Sequence, residues 1–176
     1  MKILILHNSY QFAGGEDRAV ESDRALLDAR GHETRLYRRD YSEIADRSFP
    51  SDVSLAAQVV WSTSAYQEIR TLIHNWRPDI AHFHNIYPLI SPSGYAACRA
   101  EGVPTVQTLH NYRLVCPAGT LLRDGKVCEL CVGKIPWPAV RYACYRGSRP
   151  QSFVMASSLA GHGVRGGSSG SRRSGR

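Results

Sequence analysis

Apolar positions fall in short blocks along the chain, and the blocks alternate in period. KILILH, at the start, predicts a first strand. After the loop NSYQFAGG comes EDRAVESDRALLDARGH, where Ala19, Ser22, Leu26 and Ala29 recur at three- and four-residue spacing as one face of a helix. Glu16 and Asp17 fall in its first turn, where the helix dipole favours acids, and Gly31 is its stop signal. ETRLYRR then reads as a strand, which completes a βαβ unit expected to be right-handed. Residues 40–50 are polar and irregular, as in a loop. DVSLAAQVVW predicts a short helix over 52–61. A second helix is expected from Ser64, with Gln67 as its capping-box partner and Tyr66, Ile69, Ile73 and Trp76 as its apolar stripe. Pro78 ends it.

DIAHFHN reads as a strand, PSGYAACRAE as a helix ended by Gly102, and VPTVQTL as a buried strand rich in β-branched residues. The order β-α-β-α-α-β-α-β predicts an α/β fold with a doubly wound, Rossmann-like parallel sheet. RPQSFVMASSLAGH predicts one more helix, with Pro150 in its first turn. Beyond it the chain turns to Gly, Ser and Arg. The expected organisation is therefore one domain over 1–161, with a Cys-rich insertion at 111–146, and a disordered tail over 162–176.

Composition changes this picture little. At 43% hydrophobic and 21% charged, the chain is of the globular type. The net charge of +7 invites a nucleic-acid reading, but Arg165, Arg172, Arg173 and Arg176 lie in the tail; without them the charge is about +3, and nucleic acid is not the expected partner. No apolar run has the length of a membrane-spanning helix, and the apolar start is too short for a signal-peptide core. A cytoplasmic location is expected, which disfavours structural disulfides.

Three constellations carry candidate chemistry. Gly14-Gly15 stand where a helix N-terminus would let backbone N–H groups approach a phosphate or sugar, although the dinucleotide fingerprint is absent and an ordinary tight turn is the plainer reading. His84-Asn85 and His110-Asn111 each end a predicted strand. In open α/β sheets ligands bind outside the carboxyl ends of strands, so these pairs suit a hydroxylated ligand, with one His as acid, base or electrostatic stabiliser. His82 shares the face of His84 and is expected to be structural; His7 is a weaker candidate. Cys116, Cys128, Cys131 and Cys144 set a Cys-x-x-Cys between two single cysteines, a pattern for a four-thiolate zinc site. An iron–sulfur cluster, reduced thiols and disulfides remain open at this point. Cys98 reads as a core residue.

MKILILHNSY, AGGEDRAVESDRALLDARGHETRLY, RPDIAHFHN and GVPTVQTLHNYRLVCP together resemble the N-terminal half of family 4 glycosyltransferases of GT-B architecture, over about residues 1–160. The resemblance implies transfer of a sugar, with retention of configuration, from a nucleotide-sugar to an acceptor hydroxyl, without a catalytic metal, as in polysaccharide biosynthesis. It implies that His110 approaches the transferred sugar, that Gly14 and Gly15 lie against the donor diphosphate or acceptor, and that His84, with Asn85 and Asn111 beside it, lines the acceptor side. The family's donor-binding domain has no counterpart after about Gly161. The expectation is thus a truncated chain or half-enzyme, inactive alone and in need of a separately encoded donor domain. The acceptor would be a sugar or lipid-linked molecule, with room for peripheral contact at the inner membrane face. The competing expectations are a non-catalytic zinc-containing binding module, nucleic-acid-directed through its basic tail, and a different phosphate-binding Rossmann-like enzyme.

Overall fold

The computed structural model describes residues 1–9, 14–44 and 53–163. Strands β1 (Lys2–Ser9), β2 (Glu33–Asp40), β3 (Ile80–Phe83) and β4 (Thr105–Gln107) pair in parallel in the order β2-β1-β3-β4. Helices α1 (Gly15–Ala29), α2 (Val53–Val60), α3 (Thr63–Trp76), α4 (Ser93–Ala100) and α6 (Arg149–Gly163) flank this sheet, and the short α5 (Trp137–Arg141) packs against α6. The predicted doubly wound α/β fold is what forms. Residues 164–176, most of the expected tail, lie outside the described residues, as do 10–13 of the Gly-rich loop and 45–52. Among the described residues no helix is long and apolar enough to cross a membrane.

Strand β1 shows why the layers form. Side chains alternate across a strand, so Ile3 and Ile5 face Val20 and Leu27 of α1, whereas Leu4 and Leu6 face Ile69, Ile73 and Trp76 of α3. Leu4, Ile5 and Leu6 are each fully buried, which stabilises the fold by about 1.5–3 kcal/mol per side chain. On the α3 side, Gly94 lets α4 lie close to β3: a Cβ there would come within 2.9 Å of Ile90 and 3.0 Å of Phe83. The predicted α3 stripe is the buried one, with Tyr66 packed at its border, and Cys98 is core.

Three expectations need correction. The cap of α3 is Ser62, whose Oγ accepts the Ala65 N–H at 3.3 Å, so the helix starts at Thr63 and not at a Ser64–Gln67 capping box. VPTVQTL is an edge strand rather than a buried one: only Thr105–Gln107 pair, and Val106 is 47% exposed. Most consequential is the rotation of α1. Its buried positions are Asp17 and Val20, with Leu27 packed beside them, whereas Leu26 is 55% exposed and Ser22 and Ala29 face outward. The face toward the sheet therefore carries acids.

Candidate functional site

Those acids meet histidines. Along β1 the face covered by α1 reads Ile3, Ile5, His7; along β3 it reads Ile80, His82, then His84 just past the strand end. Toward the carboxyl edge, imidazoles replace isoleucines. His7 Nε2 lies 3.1 Å from Asp17 Oδ1, and the Gly14 N–H donates to Asp17 Oδ2 at 3.0 Å, so one carboxylate joins β1 to the start of α1. The His82 and His84 rings are 4.3 Å apart, and His82 Nε2 pairs with Thr108 Oγ1 at 2.7 Å. His84 Nδ1 pairs with His110 Nε2 at 2.9 Å. The two His-Asn strand ends thus meet through their imidazoles.

Burial sets the charge states. It pulls His84 down to about 3, with His82, His110 and His7 adding like-charge repulsion, so His84 is neutral near pH 7. Burial lowers His82 as well, and it lowers His7 against the opposing bond to Asp17. Burial pushes Asp17 upward, but the hydrogen bonds from Gly14 and His7 outweigh it and hold the carboxyl below its ordinary value. His84 Nε2 has no hydrogen-bond partner and faces Asp23 Oδ2 at 3.8 Å. That carboxylate favours the His84 tautomer protonated on Nε2, which makes Nδ1 the acceptor and His110 the donor.

Asn85 does a different job. Its Nδ2 donates to the carbonyls of Asn8 and Tyr87, its Oδ1 accepts the Tyr87 N–H, and the Asn8 N–H donates to Asn85 O at 2.7 Å. Asn8 Oδ1 in turn accepts the Leu89 N–H. Asn85 lines the cleft described below, and its amide also clamps the ends of β1 and β3 together. Gln107, which the sequence reading passed over, donates to the carbonyls of His84 and Thr108 and accepts from Tyr95 Oη.

A cleft of about 310 Å³, counted out to its open mouth, lies over this edge. Glu16, His84, Gln107, His110, Asn111 and Arg113 are among its lining residues. Asn111 Nδ2 donates to Glu16 Oε1 at 3.1 Å, and Asn111 Oδ1 accepts the Arg113 N–H. Glu16 Oε2 and Arg113 Nε, like His84 Nε2, are buried without a hydrogen-bond partner. The cleft therefore offers a carboxylate acceptor and a guanidinium donor, the complement of a hydroxylated ligand. Gly15 stands open at the α1 N-terminus, where an added Cβ would meet nothing within 4 Å. Asp23 escaped the sequence reading, and Glu16 was read only as a first-turn charge, because the α1 face was assigned to its apolar residues; the signal available was the run of histidines needing partners.

Among the described residues, the one group of three or more metal-ligating side chains whose donor atoms all lie within 4.8 Å is Asp23, His82 and His84. Cys116, Cys128, Cys131 and Cys144 come together around a second hollow, of about 350 Å³ to its mouth, but their sulfurs are not that close. A protein-family model described as Glycosyltransferase Family 4 matches residues 13–145, a span that includes both hollows. No curated protein and no solved structure matches the chain.

Proposed function

The chain belongs to glycosyltransferase family 4, and we propose that residues 1–163 form the acceptor side of a retaining sugar-transfer site whose donor is a nucleotide-sugar. One observation carries the reading. The cleft over the carboxyl edge is bounded by the His84–His110 pair and contains the partnerless Glu16 Oε2 and Arg113 Nε. An acceptor hydroxyl donating to Glu16 would satisfy the carboxylate and orient its oxygen toward the sugar. His110, held by His84, would then hydrogen-bond the transferred sugar where charge develops. Neutral His84 suits this role, since a cation there would repel the oxocarbenium character of the transition state. The open N-terminus of α1 at Gly15 is where the donor diphosphate would approach, drawn by the helix dipole.

Stabilising a departing diphosphate also requires donors on the wall opposite this cleft, the part a family donor-binding domain would play. The partner molecules are the nucleotide-sugar and a sugar or lipid-linked acceptor, as in polysaccharide assembly. The nucleic-acid alternative is weakened by the aromatic faces it would need: Arg123 covers Tyr142 at 4.0 Å, and Arg113 and Arg146 cover Tyr145.

The test uses radiolabelled UDP- and GDP-sugars with saccharide and polyprenyl-phosphate-linked acceptors. The 176-residue chain is assayed alone and together with a family donor-binding domain. Transfer dependent on the added domain and abolished by Glu16→Gln supports the proposal. Transfer indifferent to Glu16 overturns it.

A further inference from the structure

We infer that Cys116, Cys128, Cys131 and Cys144 bind one structural zinc ion as a tetrahedral tetrathiolate, and that this ion is the core of residues 111–146. The four thiols come from separate places: a turn after β4, the end of the hairpin β5 (Leu122–Arg123) and β6 (Lys126–Val127), the turn following it, and the turn three residues past the end of α5. All four face the same hollow, walled by Leu122, Ala139 and Tyr142. Cys98, the fifth, is sealed in the main core and takes no part.

The segment has no apolar core of its own to explain its order. Leu114, Val115, Leu122, Val127, Leu130, Val132, Ile135 and Trp137 are each between 40% and 77% exposed. Among residues 111–146 the buried positions are Pro117, Gly119, Pro136 and Ala139. A hairpin of two-residue strands is marginal alone. Modules of this size need a cross-link, and a thiolate zinc site contributes on the order of 10–16 kcal/mol to such folds.

The local backbone is also prepared for thiolates. Leu130, Ala139 and the Arg123 guanidinium line the same hollow as the Cys128 and Cys131 sulfurs, placing N–H donors beside them. Such donors offset the negative charge that four thiolates retain around a divalent ion. Sulfurs sharing a tetrahedral zinc at about 2.3 Å stand about 3.8 Å apart, so ion binding draws the hollow inward. Gly119, Gly125 and Gly133, all at positive φ, supply the turns that allow it.

The ion also has a place in the acceptor cleft, a consequence that rests on the function proposed above. The Cys116 N–H donates to Tyr112 O, the Gly119 N–H to Cys116 O, and the Tyr112 N–H to Gly119 O. This knot carries Asn111 and Arg113 to the cleft. Fixing Cys116 fixes that wall.

Elemental analysis of the purified 176-residue chain should find about one zinc per chain. Cobalt(II) substitution should give the intense visible absorption of a tetrahedral tetrathiolate, and Cys128→Ser/Cys131→Ser should lose both signals while Cys98→Ala keeps them. Chelation should raise amide hydrogen exchange across 111–146 while β1 and β3 stay protected. A folded, metal-free chain with free or disulfide-bonded cysteines overturns the inference, as does iron with acid-labile sulfide. So does a metal that survives the double serine variant but is lost in Asp23→Asn. None of these readouts depends on sugar transfer, so this inference and the proposed function fail separately.

Discussion

His84 Nδ1 and His110 Nε2 lie 2.9 Å apart, although 26 positions separate them in the chain. Their contact joins the ends of β3 and its neighbour β4 into one hydrogen-bonded surface. It also gives the two imidazoles unequal duties: His84 is sealed and neutral, whereas His110 is half-buried at the cleft.

Replacing His110 with alanine should therefore lower transfer by about 10²–10⁴-fold, the range for losing a positioned polar catalyst. The melting temperature should fall modestly, because the substitution leaves the buried His84 Nδ1 without its partner, at a cost of about 1–3 kcal/mol. Steady-state rates with the donor domain present, beside a thermal melt, check this; an unchanged rate would remove His110 from the chemistry.

Acid should weaken the fold through the histidine row. In the unfolded chain His84 takes a proton near 6.5, and in the folded protein only near about 3. Between those values the unfolded chain holds more protons, so stability rises with pH through the window and is lost as pH falls from 6.5 toward 3. His7 and His82 are shifted in the same direction and add to the slope. Each such group contributes at most about 1.4 kcal/mol per pH unit. Urea unfolding across that range should show a shallower slope for His84→Gln than for the parent chain.

Two glycines should answer oppositely to alanine. Gly94→Ala forces a methyl to within 3.0 Å of Ile90 and Phe83 and should cost about 1–3 kcal/mol. Gly15→Ala meets open space and should be neutral or stabilising within about 1 kcal/mol. Its methyl would nevertheless stand where a diphosphate is proposed to approach, so transfer should fall. Calorimetry and activity on the same preparations separate the two effects.

Asp17→Ala removes the carboxylate that binds both the Gly14 N–H and His7, and should destabilise by about 1–2 kcal/mol. Because the Asp17 carboxyl is held below its ordinary value in the folded state, this stabilisation is present above about pH 4 and fades as pH falls below it. Denaturant titrations of the variant and parent should differ less at pH 3 than at pH 7 if the carboxylate is responsible.

The strands and helices were legible because burial in a parallel sheet leaves continuous apolar runs such as Ile3–Leu6 and helical stripes such as Ile69–Ile73–Trp76. The strand-end histidines were legible too, since any residue following such a run lands at the carboxyl edge. The acids of α1 were not. Helical periodicity assumes that the inward face is apolar, and here Asp17 is buried and Asp23 half-buried facing imidazoles that no local rule connects to them. The exposure of β4 was likewise hidden, because edge and centre positions in a sheet depend on pairing, which a β-branched run does not specify. Cysteine spacing indicated a common site, and the segment's want of a core of its own was legible as well; that the four cysteines line one hollow became visible only with the fold.

The Asn8–Asn85 clamp has a mechanical consequence. By tying the ends of β1 and β3 to each other and to Leu89, it makes that side of the cleft a fixed jaw. The other jaw, the loop carrying Asn111 and Arg113, is latched across the mouth to Glu16 by a single amide–carboxylate bond. On the proposed function, acceptors of different girth would be accommodated on the latched side, and breaking that latch would free the carboxylate proposed to receive the incoming hydroxyl.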